Sequence, residues 1–306
     1  MPIPTSRTKE VARITIDAEK CNGCGLCIDV CKDFGIIIKD GKAVVSGQPI
    51  FGCIGCGHCM ALCPKGAIKI EGRFTSPDDL FPLPDKSGMA SYDALLKLFQ
   101  RRRSIREFKN KPVEQELIDK IITAASTAPM GLPPSDVSIL VINGKEKAFR
   151  FSKDYCEYLV NLKWMVTPIG LFFMRLFYGK ENGEMFRDFI KPLIDTYVGY
   201  MKKGENLVMY DAPLALYFYG SPYTDPADPL IAATYAMTAA ESLGLGTCML
   251  GGIHPFIQSG RAARKFREKQ GIRFKSREGL FLIIGHPRVK YQNGIKRTFA
   301  NIDYHS

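Results

Sequence analysis

The chain has 306 residues, 46% of them hydrophobic and 24% charged, with a formal net charge of +11. A chain of this length and apolar content buries a core without disulfide staples, so its ten cysteines need an explanation other than stability. Residues 1–74 carry ten Lys/Arg and seven Asp/Glu, so most of the excess positive charge lies beyond them; it suits an acidic redox partner or an anionic cofactor, and with no recognition module in view it argues against nucleic acid as the partner.

The opening stretch MPIPTSRTKEVARITIDAEK has neither an apolar signal core nor a small-residue cleavage site, and the expectation is a cytoplasmic protein. ARITIDAEK at 12–20 alternates as a strand and leads into CNGCGLCIDVC at 21–31. The same device, CIGCGHCMALC, returns at 53–63 and is followed by Pro64, with short strands expected at KAVVSG and GAIKIEG around it. Each run reads C-x-x-C-x-x-C-x-x-x-C, the ligand spacing of a [4Fe–4S] cube in which the fourth cysteine serves the other cluster. Cys21, Cys24, Cys27 and Cys63 are therefore expected to hold one cube, and Cys53, Cys56, Cys59 and Cys31 the second. Paired zinc knuckles are the alternative, but zinc takes four ligands per site and has no use for third and fourth cysteines at these offsets, twice. Gly23 with Gly55, and Gly25 with Gly57, recur in register, where a bare backbone wraps closely and turns N–H groups toward sulfur. Lys32 stands where the run usually has proline, and His58 is read as a spacer. Over about 12–72 the chain resembles two-cluster ferredoxins.

GRFTSPDDLFPLPDKSG at 72–88 loses all amphipathic period and is rich in proline, so a linker is expected at 75–90, between a domain at 1–74 and another at 91–306. SYDALLKLFQ begins a helix with Ser91 as N-cap and Leu95, Leu96, Leu98 and Phe99 as its apolar face. It delivers RRRSIREF at 101–108, which in isolation reads as a solvated basic helix end. A second helix is expected at 112–127, an irregular loop at APMGLPPSD, and a buried strand at SILVI. Residues 145–208 are helical in tendency without one clean stripe. Their most apolar part, 159–178, is broken by Lys163, Pro168 and Arg175, which argues against a membrane span and for a packed or lid-forming segment. DAPLALYFYG and GLFLIIG read as core strands, and 228–246 as the best helix, with Asp228 as N-cap, Pro229 at its first position and Gly244 as C-cap. No G-x-G-x-x-G follows a strand, so a Rossmann site is unsupported. Cys156, Cys248, His254 and His286 are read as structural.

RRRSIREF, APMGLPPSD, AAESLGLGTCMLGG and IGHPRVKY, in that order, resemble the nitroreductase family across roughly 91–143 and 209–297, and the whole chain resembles its ferredoxin–nitroreductase fusions. The resemblance implies an α+β fold, a small two-cluster ferredoxin-like domain followed by a central sheet flanked by helices. It implies FMN, held by Arg102, Arg103, Ser104 and Arg106 at the phosphate and pyrimidine edge, with Pro129, Met130 and Gly131 in register with the family's flavin loop. The Asn and Gln of that loop are replaced by Pro133 and Ser135. Gly251 and Gly252 fall where backbone faces flavin N5, and Arg288, Lys290 and Arg297 are candidates for a last phosphate contact. The function implied is an oxidoreductase in which cluster electrons reduce FMN, which reduces a small electrophile such as a nitroaromatic, a quinone or an activated double bond. A homodimer is implied, with reduced ferredoxin or another low-potential donor as partner. The alternative is an electron-transfer module that relays between a ferredoxin-type donor and a protein.

Overall fold

A computed structural model describes residues 10–305. The N-terminal unit runs β1 (Arg13–Ile16), α1 (Leu26–Val30), β2 (Ile36–Lys39), β3 (Lys42–Val45), α2 (His58–Leu62) and β4 (Ile68–Glu71). β1 pairs antiparallel with β4, Ile14 opposite Ile70, and β2 pairs with β3 as a hairpin. The alternation read in ARITIDAEK turns Ala12, Ile14 and Ile16 toward a small core shared with Ile36, Ala43, Met60, Ile68, Ile70 and three of the cysteines. Between the units, 75–90 holds two short 3-10 turns, at Pro77–Asp79 and Lys86–Gly88, each N-capped by its own side chain, so the linker is structured rather than featureless.

The larger unit continues with α3 (Tyr92–Arg101), α4 (Gln115–Ser126), β5 (Val137–Asn143), α5 (Lys145–Val160), α6 (Pro168–Tyr178) and α7 (Lys180–Met185). A π turn at Phe186–Ile190 joins α7 to α8 (Lys191–Lys202). Then come β6 (Leu214–Gly220), α9 (Asp228–Ser242), β7 (Gly246–Leu250), α10 (Arg261–Lys269) and β8 (Gly279–Gly285). The four strands form one antiparallel sheet in the order β5-β6-β8-β7. Every residue of β6 is buried, because α4 and α9 cover one face of the sheet while α5, α8 and α10 cover the other; a strand covered on both sides reads as a continuous apolar run. Tyr217 stacks on Phe281 with ring centroids 4.0 Å apart across that core.

Two expectations are corrected. Ser91 does cap α3, its Oγ accepting from the Ala94 N–H at 3.2 Å, but none of the helix is buried within the chain, and Leu95 and Phe99 stay exposed. Ala227, not Asp228, is the N-cap of α9, because Asp228 is turned to another donor described below. The stretch 159–178 is broken where expected: α5 ends at Val160, and Pro168 opens α6 behind a Thr167 cap whose hydroxyl accepts from the Gly170 N–H. Among the described residues no helix is long and apolar enough to cross a membrane.

Candidate redox sites

The two cysteine runs fold alike because the same glycines recur in them. Gly23 and Gly25 (φ +73° and +80°) match Gly55 and Gly57 (+71° and +73°), and each second glycine stands in the left-handed region directly before α1 or α2. Cys27 and Cys59 are buried on these helices, while Cys31 and Cys63 follow them in extended backbone. Cys21, Cys24, Cys27 and Cys63 line one cavity together with Gly23, Ala43 and Pro64. Two of the sulfurs already accept backbone N–H groups, Cys21 from Ala43 at 3.3 Å and Cys63 from Ala67 at 3.2 Å. The other four gather likewise. The Cys59 thiol is pushed up to about 12, first by burial and then by Cys53, Cys56 and Cys31, and burial followed by Cys56 and Cys31 raises Cys53. Thiols that repel one another's ionisation in this way are relieved by a bound cation, which deprotonates them outright. Each set takes its fourth member from the other run. The all-thiol donor set, four sulfurs to each site, fits an iron–sulfur cube. His58 is exposed at the start of α2.

After α3 the segment 102–106 runs extended beside β7, the edge strand of the sheet. Ser104 forms a parallel bridge with Thr247, and the Ile105 N–H donates to the Thr247 carbonyl at 2.8 Å. The approach requires Gly246, since a Cβ there would meet Ile105 at 2.7 Å. Extended backbone alternates its side chains, and the arginines divide accordingly. Arg103 donates to the Gln100 and Arg102 carbonyls, both at 2.7 Å, and lines a cleft with Ile105, Lys290 and Gly294. Arg102 is half-buried; burial, then the nearby Arg297 charge, makes its cation harder to sustain, with Glu241 opposing. Its Nη1 is buried with no hydrogen-bond partner, and so is Oγ1 of Thr247, the residue bridged to Ser104. Buried orphans cost free energy unless a partner satisfies them, and these two lie on the paired segments 102–106 and β7. Arg106 lies over the Tyr210 ring at 5.7 Å and lines a second cleft.

Of the three late cations, Arg297 is the one beside Arg102. Arg288 is paired with Glu107 through both side chain and backbone, and Lys290 faces the Arg103 cleft. Gly251 and Gly252 follow the far end of β7, where the Gly252 carbonyl accepts from the Tyr155 hydroxyl at 3.0 Å. Pro129 and Met130 line a cavity beside α4 and the start of α9, and the Gly131 N–H donates to Asp228 Oδ1 at 3.0 Å. Gly131 thus sits at the first turn of α9, whereas Glu241, which feels Arg101, Arg102 and Arg103, sits in its last turn. A helix of that length separates the two groups by roughly 20 Å. Within one chain the loop and the arginines do not meet.

Sequence reasoning missed Thr247, Asp228 as the anchor of Gly131, and Arg73. A threonine or an arginine looks the same in sequence whether buried or exposed, and only the pairing of 102–106 with β7 singles out Thr247.

The sequence model of the nitroreductase family matches residues 99–286, and that of a 4Fe-4S dicluster domain matches 18–68. The chain is 29% identical over 161 residues to the FMN reductase [NAD(P)H] of Bacillus subtilis (strain 168), covering 52% of this chain and 54% of that protein. It is 37% identical over 60 residues to the indolepyruvate oxidoreductase subunit IorA of Methanothermobacter marburgensis, covering 20% of this chain and 9% of that protein. The chain therefore spans about half the length of one of these relatives and under a tenth of the other. A nitroreductase with bound FMN from Desulfitobacterium hafniense DCB-2 aligns in structure with 23% identity and a TM-score of 0.49, over 71% of this chain and 100% of that one.

Proposed function

The chain belongs to the nitroreductase family, matched over 99–286 behind a 4Fe-4S dicluster domain, and we propose that it is an iron–sulfur flavoprotein oxidoreductase that takes electrons in at its cysteine domain and delivers them to a small electrophile. When bound, the two clusters supply one-electron transfer, and FMN supplies two-electron reduction of a nitroaromatic, a quinone or an activated double bond. Cys21, Cys24, Cys27 and Cys63 hold one cluster and Cys53, Cys56, Cys59 and Cys31 the other.

The observation that carries the flavin assignment is the pair of buried, unpartnered polar atoms on Arg102 and Thr247, with Arg297 adjacent. Arg102 and Arg297 bring two guanidinium charges together with Glu241 as the nearby counter-charge, and a phosphate takes two parallel N–H donors from a single fork. Ser104 adds a hydroxyl, and Arg106 a cation for the pyrimidine side. Along β7 the edge strand leads from Thr247 to Gly251 and Gly252, whose N–H groups face flavin N5 in this reading.

Because Gly131 and Arg102 lie at opposite ends of α9, a complete site takes its loop from one copy and its arginines from another. The exposed apolar residues of α3 and of the tail, Ile295 and Phe299 among them, supply the surface for that homodimer. The electron donor in this reading is a reduced ferredoxin or another low-potential donor, and the compartment is the cytoplasm.

An anaerobic titration tests the reading. The reconstituted protein should hold about eight iron and eight sulfide per chain, bleach on addition of reduced ferredoxin, and recover its absorbance with a nitroaromatic or quinone. Bleaching by NADH or NADPH alone would move the donor assignment to the flavin side. Failure of every small acceptor to restore absorbance would favour the electron-transfer module.

A further inference from the structure

Arg73 is a buried cation that ties three segments of the chain together. It is 2% exposed, and its guanidinium donates from Nη1 to the Glu10 carbonyl at 2.8 Å, from Nε to Ile54 at 3.0 Å and from Nη2 to Pro133 at 2.9 Å. Glu10 leads into β1, Ile54 stands between Cys53 and Gly55 in the second cysteine run, and Pro133 belongs to loop 128–136 of the nitroreductase domain. A planar fork of five donors serves diverging carbonyls where an ammonium head does not. The backbone is bent to deliver it. Gly72, Arg73 and Phe74 all stand in the left-handed region, at φ +107°, +52° and +62°, a conformation that non-glycine residues keep only where their surroundings hold them in it.

The two cysteine runs also face different neighbours. The first leans on the β2–β3 hairpin: Lys42 reaches the Cys21 carbonyl, and a Cβ on Gly23 would strike the Gly41 oxygen at 2.1 Å. The second leans on the 72–75 turn. There Thr75 Oγ1 donates to the Gly55 carbonyl at 2.7 Å, and a Cβ on Gly55 would press on Arg73. We infer that Arg73 is a positioning residue, a clamp that seats the second cysteine run, and with it the group held by Cys31, Cys53, Cys56 and Cys59, against loop 128–136. The second run is then the one seated next to loop 128–136, and the first lies on the β2–β3 hairpin side. This rests on the proposed role of the cysteines and adds an order to them.

Hydrogen exchange read by mass spectrometry on full-length, reconstituted protein tests the clamp, with iron content measured alongside. In Arg73→Met, exchange at 52–57 and at 131–136 should rise together by about tenfold or more, the change expected from losing a hydrogen bond to a charged group. Exchange at 38–45 and the iron content should stay at wild-type values. Thr75→Val, which loses a bond to the same cysteine run but none to the other domain, should raise exchange at 52–57 alone. Unchanged exchange at 131–136 in Arg73→Met overturns the clamp, and so does an equal rise there in Thr75→Val. Should Arg73→Met lose its iron, Arg73→Lys decides: it should keep iron and still lose protection at 131–136. Protection retained at 131–136, or iron lost in that variant too, overturns the inference. Iron absent from the wild-type protein instead defeats the cluster reading and leaves the docking measurement intact.

Discussion

Arg102 has a buried nitrogen that no described residue satisfies, so replacing it should be felt by the ligand more than by the fold. Arg102→Ala is expected to weaken FMN binding by about tenfold or more, since a hydrogen bond to a charged group contributes on that order, while iron content stays unchanged. Fluorescence of released flavin against total protein measures the first and iron assay the second; undiminished flavin content would remove Arg102 from the site. His254 makes a different case. Its Nδ1 accepts from the Tyr217 hydroxyl at 2.9 Å and its Nε2 donates to the Arg277 carbonyl at 3.3 Å, and burial holds the ring neutral, below the usual histidine range. The unfolded chain takes up its proton near pH 6.5, the folded one only at lower pH. The stability linked to this residue is therefore complete above about pH 6.5 and is lost as pH falls toward the folded value. The thermal midpoint of wild-type protein should fall more steeply from pH 8 to 5.5 than that of His254→Asn, and equal slopes would refute the assignment.

Among the elements, α3 leaves its apolar residues uncovered. Its amphipathic pattern is as plain in sequence as that of α4, yet α4 buries Ile118 and Ile121 while α3 leaves Leu95 and Phe99 in solvent. Leu95→Glu with Phe99→Glu should give a monomer by analytical ultracentrifugation that keeps its iron and loses flavin; a flavin-loaded monomer would show that one copy makes a whole site. The same contrast explains what was legible in the sequence. β6 and β8 were legible because both of their faces are covered and their runs are unbroken. β7 was hidden by the glycine that its neighbour Ile105 demands, and α10 went unread because its buried face, Ala263, Phe266 and Arg267, holds one large apolar residue in an otherwise charged run. Residues 145–208 gave no stripe because α6 keeps Ile169, Phe172 and Phe177 exposed while α5 buries Phe151 and Tyr155, so no one periodicity describes both. The cysteine device was fully legible, as its spacing is set by ligand chemistry rather than by packing. The flavin loop was legible as a motif, but its distance from the arginines was not, because α9 separates them only in three dimensions.

For the whole molecule, a chain beginning after Phe81 retains every residue assigned to the flavin. It should dimerise, bind FMN and turn over with a chemical reductant that reaches the flavin directly, yet fail with reduced ferredoxin. Ferredoxin-driven turnover at the intact rate would show that the cysteines are not the entry point.

The roughly 20 Å between Gly131 and Arg102 along α9 has a bearing on the wiring between copies. Arg73 ties each cysteine domain to its own loop 128–136, and in the proposed homodimer that loop completes the site whose arginines come from the other copy. Each cysteine domain then serves in trans the flavin gripped by its neighbour. Complementation follows. Neither the Arg102→Ala homodimer nor the Cys56→Ser homodimer should turn over with ferredoxin. A tagged mixed dimer of the two, one chain giving arginines and the other giving cysteines and loop, should recover one working route. A silent mixed dimer would place donor and flavin on the same chain.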